Sequence, residues 1–145
     1  MPGTVGVYVP LLIARGRPVA SGLALALSVV LLGAGASLYA WCVWSFATIG
    51  RGTPAPIDAP KALVIRGPYR FTRNPMYAGV LTVILGWAVL YRAPVLAGYA
   101  LGVTCCFHLF IVLYEEPHLR GVFGPEFDAY TARVGRWWPR MRVRS

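Results

Sequence analysis

The chain has 145 residues, room for one domain, and 57% of them are hydrophobic against 13% charged. A soluble domain carries about 25% charged residues, so the composition argues against an ordinary soluble fold and for a membrane protein. The net charge of +9, from 14 basic and 5 acidic residues, suits anionic headgroups, and there is no hydrophilic domain to carry nucleic acid.

In chain order, the first apolar piece is Val5 to Ala14. It is too short to cross a bilayer, contains Pro10 and closes at Arg15-Gly16-Arg17-Pro18. A half-helix lying in the interface and one dipping into the bilayer are both open readings. Met1 to Ile13 has no basic stretch, so no cleavable signal is expected. The run from Val19 to Ile49 exceeds the roughly 20 residues a span needs, which predicts tilt or emerging ends. Pro75 to Tyr91 is a second run, near the lower limit of about 17 residues. Pro94 to Tyr114 is the third. Tyr91-Arg92-Ala93-Pro94 reads as a tight turn, making the last two runs a helical hairpin. The three cysteines, Cys42, Cys105 and Cys106, all lie in apolar runs and read as small apolar fillers, with neither a disulfide framework nor a metal-ligand spacing.

The loops set the expected orientation. Arg51, Lys61, Arg66, Arg70 and Arg73 lie between the first two spans, and Arg120, Arg133, Arg136, Arg140, Arg142 and Arg144 follow the third. Arg15, Arg17 and Arg92 fall on the other side. The loop and the tail are therefore both expected to be cytoplasmic. In the tail, Gly124-Pro125 marks a break between helices. Phe127, Tyr130 and Val134 share a helical face, and Trp137-Trp138 favours the membrane–water interface. Glu116 to Trp138 reads as one or two amphipathic helices under the bilayer.

Two stretches carry chemistry. Asn74 is a good N-cap and Pro75 a good first helical residue, so the second span starts there with its positive dipole end toward Arg66, Arg70 and Arg73. These arginines either set topology or hold an anionic group; Arg73 is the candidate for touching a substrate. At the other end of the hairpin, Tyr114-Glu115-Glu116-Pro117 places two carboxylates where a helix C-terminus disfavours them. Either they pair with the arginines, or one accepts hydrogen bonds from a polar ligand such as ribose hydroxyls or an ammonium. His108 precedes Glu115 by seven residues, on the same face of a regular helix. A histidine at membrane depth is a functional candidate, and a helix–helix hydrogen bond is the alternative. His118 reads as a surface residue. Gly79, Gly86, Gly98 and Gly102 permit close helix packing or a lipid-sized gap.

Leu63-Val64, Gly67-Pro68-Tyr69 and Arg73-Asn74-Pro75-Met76-Tyr77-Ala78-Gly79, followed by Glu115-Glu116, Leu119, Phe123-Gly124, Phe127, Tyr130, Val134 and Pro139, resemble the isoprenylcysteine carboxyl methyltransferase and phospholipid methyltransferase superfamily. The resemblance covers residues 61–139. It implies a small integral-membrane enzyme, one domain over residues 1–145, using S-adenosylmethionine to methylate a lipid or other hydrophobic acceptor. The implied architecture is all-α, with three transmembrane helices, the short N-terminal segment, and C-terminal helices closing a cytoplasmic cofactor pocket. By position, Lys61, Ala62, Leu63, Val64 and Tyr69 would line that pocket, Asn74, Pro75, Met76 and Tyr77 would surround the cofactor at the helix start, and Glu115 would bind it from the third helix. Asn74 stands where the family has histidine, keeping a hydrogen-bonding side chain that cannot titrate. Ile111 stands where the prenylcysteine enzymes carry an arginine, which argues against a prenylcysteine carboxylate as substrate.

Methyl transfer from a sulfonium is an in-line displacement and requires no acid–base dyad when the acceptor is already deprotonated. For an amine acceptor, Glu116 and His108 are the candidate proton acceptors. Two other functions are carried forward. One is a sterol-type membrane reductase binding a nicotinamide dinucleotide, which the glutamate pair disfavours. The other is a non-enzymatic membrane subunit whose arginines anchor lipid. The acceptor's identity and the oligomeric state do not follow from the sequence.

Overall fold

A computed structural model describes residues 2–50 and 61–140. Among them the secondary structure is helical, with no strand. The helices are α1 (Thr4–Ile13), α2 (Leu23–Gly50), α3 (Pro75–Leu90), α4 (Pro94–Phe110), α5 (Glu116–Phe123) and α6 (Pro125–Arg133). A 3-10 turn, Gly67–Arg70, precedes α3. Of the cations used to orient the chain, Arg51, Arg142 and Arg144 lie outside the described residues.

Two helices are long and apolar enough to cross a membrane: α2, and the continuous Pro94–Phe123 helix that joins α4 to α5. The third expected span, α3, has 16 residues. At 1.5 Å per residue it is about 24 Å long, short of the roughly 30 Å hydrocarbon core.

The chain divides into two compact units, Met1–Tyr39 with Met76–His108, and Ala40–Pro75 with Leu109–Ser145. In the first unit, α3 ends on a left-handed residue, Arg92 at φ 46°. Ala93 N–H bonds the Ala88 carbonyl at 3.0 Å and Arg92 N–H that of Val89 at 3.2 Å, the paired bonds of a Schellman ending. This makes the expected tight turn. The hairpin buries Val80, Ile84, Leu96, Ala100 and Val103. The glycines of α3 meet α2: a Cβ on Gly35 would sit 2.7 Å from the Gly79 carbonyl oxygen, and one on Gly86 would sit 2.8 Å from Leu32. Of the four glycines read as small-residue positions, Gly79 and Gly86 serve close packing, while Gly98 and Gly102 face open space.

The N-terminal segment packs onto the hairpin, and Pro10 explains how. Its first five residues, Thr4–Tyr8, are wound as a π-helix, with Val9 N–H bonding the Thr4 carbonyl. In that winding the carbonyl of Val5 would need the N–H of residue 10; in an α-helix the carbonyl of Gly6 would. Proline has none. Tyr99 Oη donates to the Val5 carbonyl and Trp87 Nε1 to that of Gly6, each at 3.0 Å. Between α1, α2 and α3 remains an apolar cavity of about 390 Å³, lined by Gly6, Val7, Ala36, Val80, Val83 and Trp87 among others.

The second unit contains the lower ends of α2 and α4, the turn before α3, and the tail. Another π-turn, Ile111–Glu115, again comes before a proline at the same offset, Pro117, with Glu116 N–H bonding the Ile111 carbonyl. Gly124, at φ 53°, separates α5 from α6, as the Gly-Pro pair predicts. Phe127, Tyr130 and Val134 are all buried, and they cluster with Leu63. Val134 lies one residue past the end of α6 in extended backbone.

Candidate functional site

The site belongs to the second unit. Its floor is set by the Pro68-Tyr69-Arg70 turn. Gly67 takes φ 62°, and a Cβ there would lie 2.8 Å from Ser45 Oγ, so the turn fits against α2 only with glycine. Tyr69 is buried, stands edge-on to Phe46 at 5.3 Å between ring centres, and shares a hydrogen bond with Cys42. Tyr130 Oη donates to the Tyr69 carbonyl at 2.6 Å. Burial pushes both phenols above their ordinary range, so both stay neutral.

Above this floor three charged side chains meet. Glu116 receives Arg73 Nη1 on Oε1 at 2.9 Å. Arg136 grips the same carboxylate with two bonds, Nε to Oε1 at 2.8 Å and Nη2 to Oε2 at 2.9 Å. This fork is the strong geometry for a guanidinium–carboxylate pair. Arg73 and Glu116 are only 12% and 13% exposed, and Arg136 is 33% exposed. The hydrogen bonds that Arg136 donates to Glu116 raise the pKa of Arg136, while burial lowers that of Arg73. One donor is left over: Arg73 Nε is buried with no hydrogen-bond partner among the described residues.

The backbone after α6 ties into the same place. Arg73 N–H bonds the Gly135 carbonyl at 2.9 Å. Thr72 Oγ1 and Asn74 Nδ2 both donate to the Arg136 carbonyl, at 2.9 and 3.1 Å. Asn74 is 5% exposed. A small cavity of about 20 Å³ is lined by Arg73, Asn74, Ile111, Glu115, Glu116 and Tyr130 together with Leu119 and Phe127. It has room for about one water.

Asn74 and Glu115, expected to share one ligand, therefore border one cavity. Glu115 also lies close enough for its charge to bear on Tyr69. Leu63 and Val64 are buried and Pro75 is enclosed, while Lys61 and Ala62 are exposed. Lys61 N–H bonds the Gly50 carbonyl at 3.0 Å. Met76, Tyr77 and His108 fall in the first unit, half-buried, with the ring of Tyr77 packed 4.5 Å from that of Phe107. The π-turn at Ile111–Glu115 interrupts the regular period on which the shared face of His108 and Glu115 was read. Of the three arginines expected around the helix start, Arg73 borders the cavity. Arg66 and Arg70 are exposed, and Arg70 lies over the ring of Phe71 at 4.7 Å. His118 is exposed and stacks on Tyr114.

Sequence reasoning missed Arg136. It stood in a tail of six arginines, all read as topology signals. It lies beyond the last helix, so no helical spacing singled it out.

The walls are built from carboxylates, an arginine, an amide and apolar side chains, a set that matches a zwitterionic nucleoside such as S-adenosylmethionine in kind. At its present size the cavity admits such a molecule only if its walls part. Among the described residues no group of histidines, cysteines and carboxylates could hold a metal ion. The family model described as phospholipid methyltransferase matches residues 23–126, well over half of the chain. No individual curated protein and no solved structure gives a significant match.

Proposed function

The chain belongs to the phospholipid methyltransferase family, and we propose that it is an integral-membrane, S-adenosylmethionine-dependent methyltransferase acting, as one domain, on a lipid or other hydrophobic acceptor at the cytoplasmic face. One observation carries this reading: the family match contains both Asn74-Pro75 and Glu115-Glu116, and Asn74, Glu115 and Glu116 border a single cavity. In this reading α3 and α4 cross as a hairpin, the short α3 being accommodated by local thinning of the bilayer. The basic loop and tail face the cytoplasm.

The cofactor supplies an electrophilic methyl group on a sulfonium. The protein's part is to bind and orient. Leu63, Val64 and Tyr69 form a dry wall, with the backbone of Lys61 and Ala62 beside it. By the family resemblance, Asn74, Pro75, Met76 and Tyr77 would be the residues to hold the nucleoside at the start of α3. Glu115 accepts hydrogen bonds from ribose hydroxyls or the ammonium. Holding donor and acceptor in line is worth about 7–11 kcal/mol of barrier. Glu116 has both carboxylate oxygens engaged by arginines, so its role here is to hold Arg73 and Arg136. His108 is then the proton acceptor if the substrate is an amine. The apolar cavity in the first unit accepts hydrocarbon and rejects charge, which supports a lipophilic acceptor.

The test is to incubate membranes carrying the chain with S-adenosylmethionine labelled in its methyl group, then identify labelled products by mass spectrometry. A labelled hydrophobic product, absent with Glu115→Ala, is expected. Absence of any labelled product, with calorimetry showing NADPH bound and S-adenosylhomocysteine ignored, would overturn the reading in favour of a reductase. If neither ligand binds, a non-enzymatic subunit remains.

A further inference from the structure

We propose that Arg136 is a positioning residue: through Glu116 it fixes the guanidinium of Arg73 so that the unpartnered Arg73 N–H is held ready for an anionic oxygen of the ligand. That the ligand is the methyl donor, and the oxygen its amino-acid carboxylate, rests on the function proposed above. The fixing of Arg73 does not.

Arg73 and Arg136 balance in charge against Glu116 and Glu115, which border the same cavity, so the cluster suits a ligand with both an anionic and a cationic end. A buried cation with an unsatisfied donor is costly, so the orphan Arg73 Nε calls for an explanation. Two readings are weighed: a packing defect, or a donor kept for something other than the described residues.

The surroundings favour the second. Arg73 is held from three directions. Its backbone N–H goes to the Gly135 carbonyl. Its Nη1 goes to Glu116. Its neighbours Thr72 and Asn74 both reach the Arg136 carbonyl. A defect would leave the side chain loosely placed; here the backbone on which it stands is pinned and its Nη1 is bonded to Glu116.

Most of these ties run through one residue. Arg136 contributes its carbonyl to the 72–74 segment and its two-bond fork to Glu116. A carboxylate held by that fork cannot rotate away from Arg73. Without it, Glu116 would keep a single bond to Arg73 and could turn. Arg73, in turn, borders the cavity together with Glu115 and Asn74, while its spare donor is itself covered and would meet a ligand only once the walls part. A ligand with both an anionic and a cationic end would find Arg73 for the first and Glu115 for the second.

The experiment uses the full chain in lipid nanodiscs, as wild type, Arg136→Gln and Arg136→Lys. The first readout needs no ligand: solvent exchange of the Arg73 Nε–H followed by NMR, assigned by its loss in Arg73→Lys. Arg136→Gln should speed that exchange about tenfold, with Arg136→Lys, one bond instead of two, falling between. Equal exchange in all three overturns the proposal. The second readout compares S-adenosylhomocysteine with methylthioadenosine, which lacks the amino-acid tail. Arg136→Gln should weaken the first about tenfold and leave the second within a factor of two. Equal weakening of both would mean that Arg136 merely supports the fold, and overturns the proposal. If the wild type binds neither nucleoside, the cofactor reading fails while the exchange measurement still decides the role of Arg136. Unfolding of Arg136→Gln, seen as lost helical circular dichroism while Arg136→Lys stays folded with wild-type exchange, likewise counts against it.

Discussion

In both units polar side chains complete the backbone, but in the second they also bind one another. In the first, Trp87 and Tyr99 donate to the carbonyls that Pro10 leaves without partners, and Ser28, Thr82 and Thr104 bond carbonyls within their own helices. In the second, Thr72, Asn74 and Tyr130 likewise bond carbonyls, and charged side chains in addition bind one another: Glu116 is shared between Arg73 and Arg136, and one arginine N–H has no partner among the described residues. In an apolar setting a side chain that meets a backbone need is structural, because each unmet carbonyl is costly. A cluster that meets its own needs except for one donor is where a ligand is expected.

The comparison is broken or sharpened by substitution. The largest effect is expected at Glu116→Ala, which leaves two guanidinium groups facing each other. Removing one partner of a buried pair costs about 3–5 kcal/mol, and with Arg136 a third exposed about 2–3 kcal/mol is the expectation here. Denaturant unfolding in detergent measures it, and methyl transfer should fall with it. A loss below roughly 1 kcal/mol, the surface-pair range, would mean that the cluster does not hold the second unit together.

Next is Tyr99→Phe, which removes the donor to the Val5 carbonyl while keeping the ring. An unsatisfied buried acceptor costs about 1–3 kcal/mol, so thermal unfolding should move down. If the first unit's polar bonds are purely structural, turnover per folded molecule should stay at the wild-type level. A tenfold fall in turnover at unchanged stability would erase the contrast between the units. The smallest effect is a gain. Arg92 sits at φ 46°, where an L-residue loses roughly 1–2 kcal/mol. Arg92→Gly should recover about 0.5–1 kcal/mol after the added freedom of the unfolded chain is counted, read as a small rise in melting temperature.

How much was legible beforehand follows from the physics of each signal. Apolar runs located α2, α3 and α4 to within a few residues, though not the continuation of α4 to Phe123, and Asn74-Pro75 marked the start of α3, because length, hydropathy and proline geometry are local properties. Gly124 was readable as a break for the same reason. The docking of α1 was not: it depends on Pro10 stripping partners from Val5 and Gly6, and on Trp87 and Tyr99, about 80 and 90 residues away, lying within reach. The regular face joining His108 to Glu115 was misjudged in kind, since a π-turn changes the period and no composition rule announces it.

By itself the sequence determined the helical membrane character, the hairpin, and the two motifs that carry the family likeness, since each depends on residues adjacent in the chain. Only the tertiary structure decided which arginine matters. Six cations in a tail look alike to any count of charge; Arg136 differs because folding sets its guanidinium and its carbonyl against residues 20 and more than 60 positions away. Electrostatic and hydrogen-bond energies fall off within a few ångströms, so their partners are settled by distance in space, which the order of residues alone does not contain.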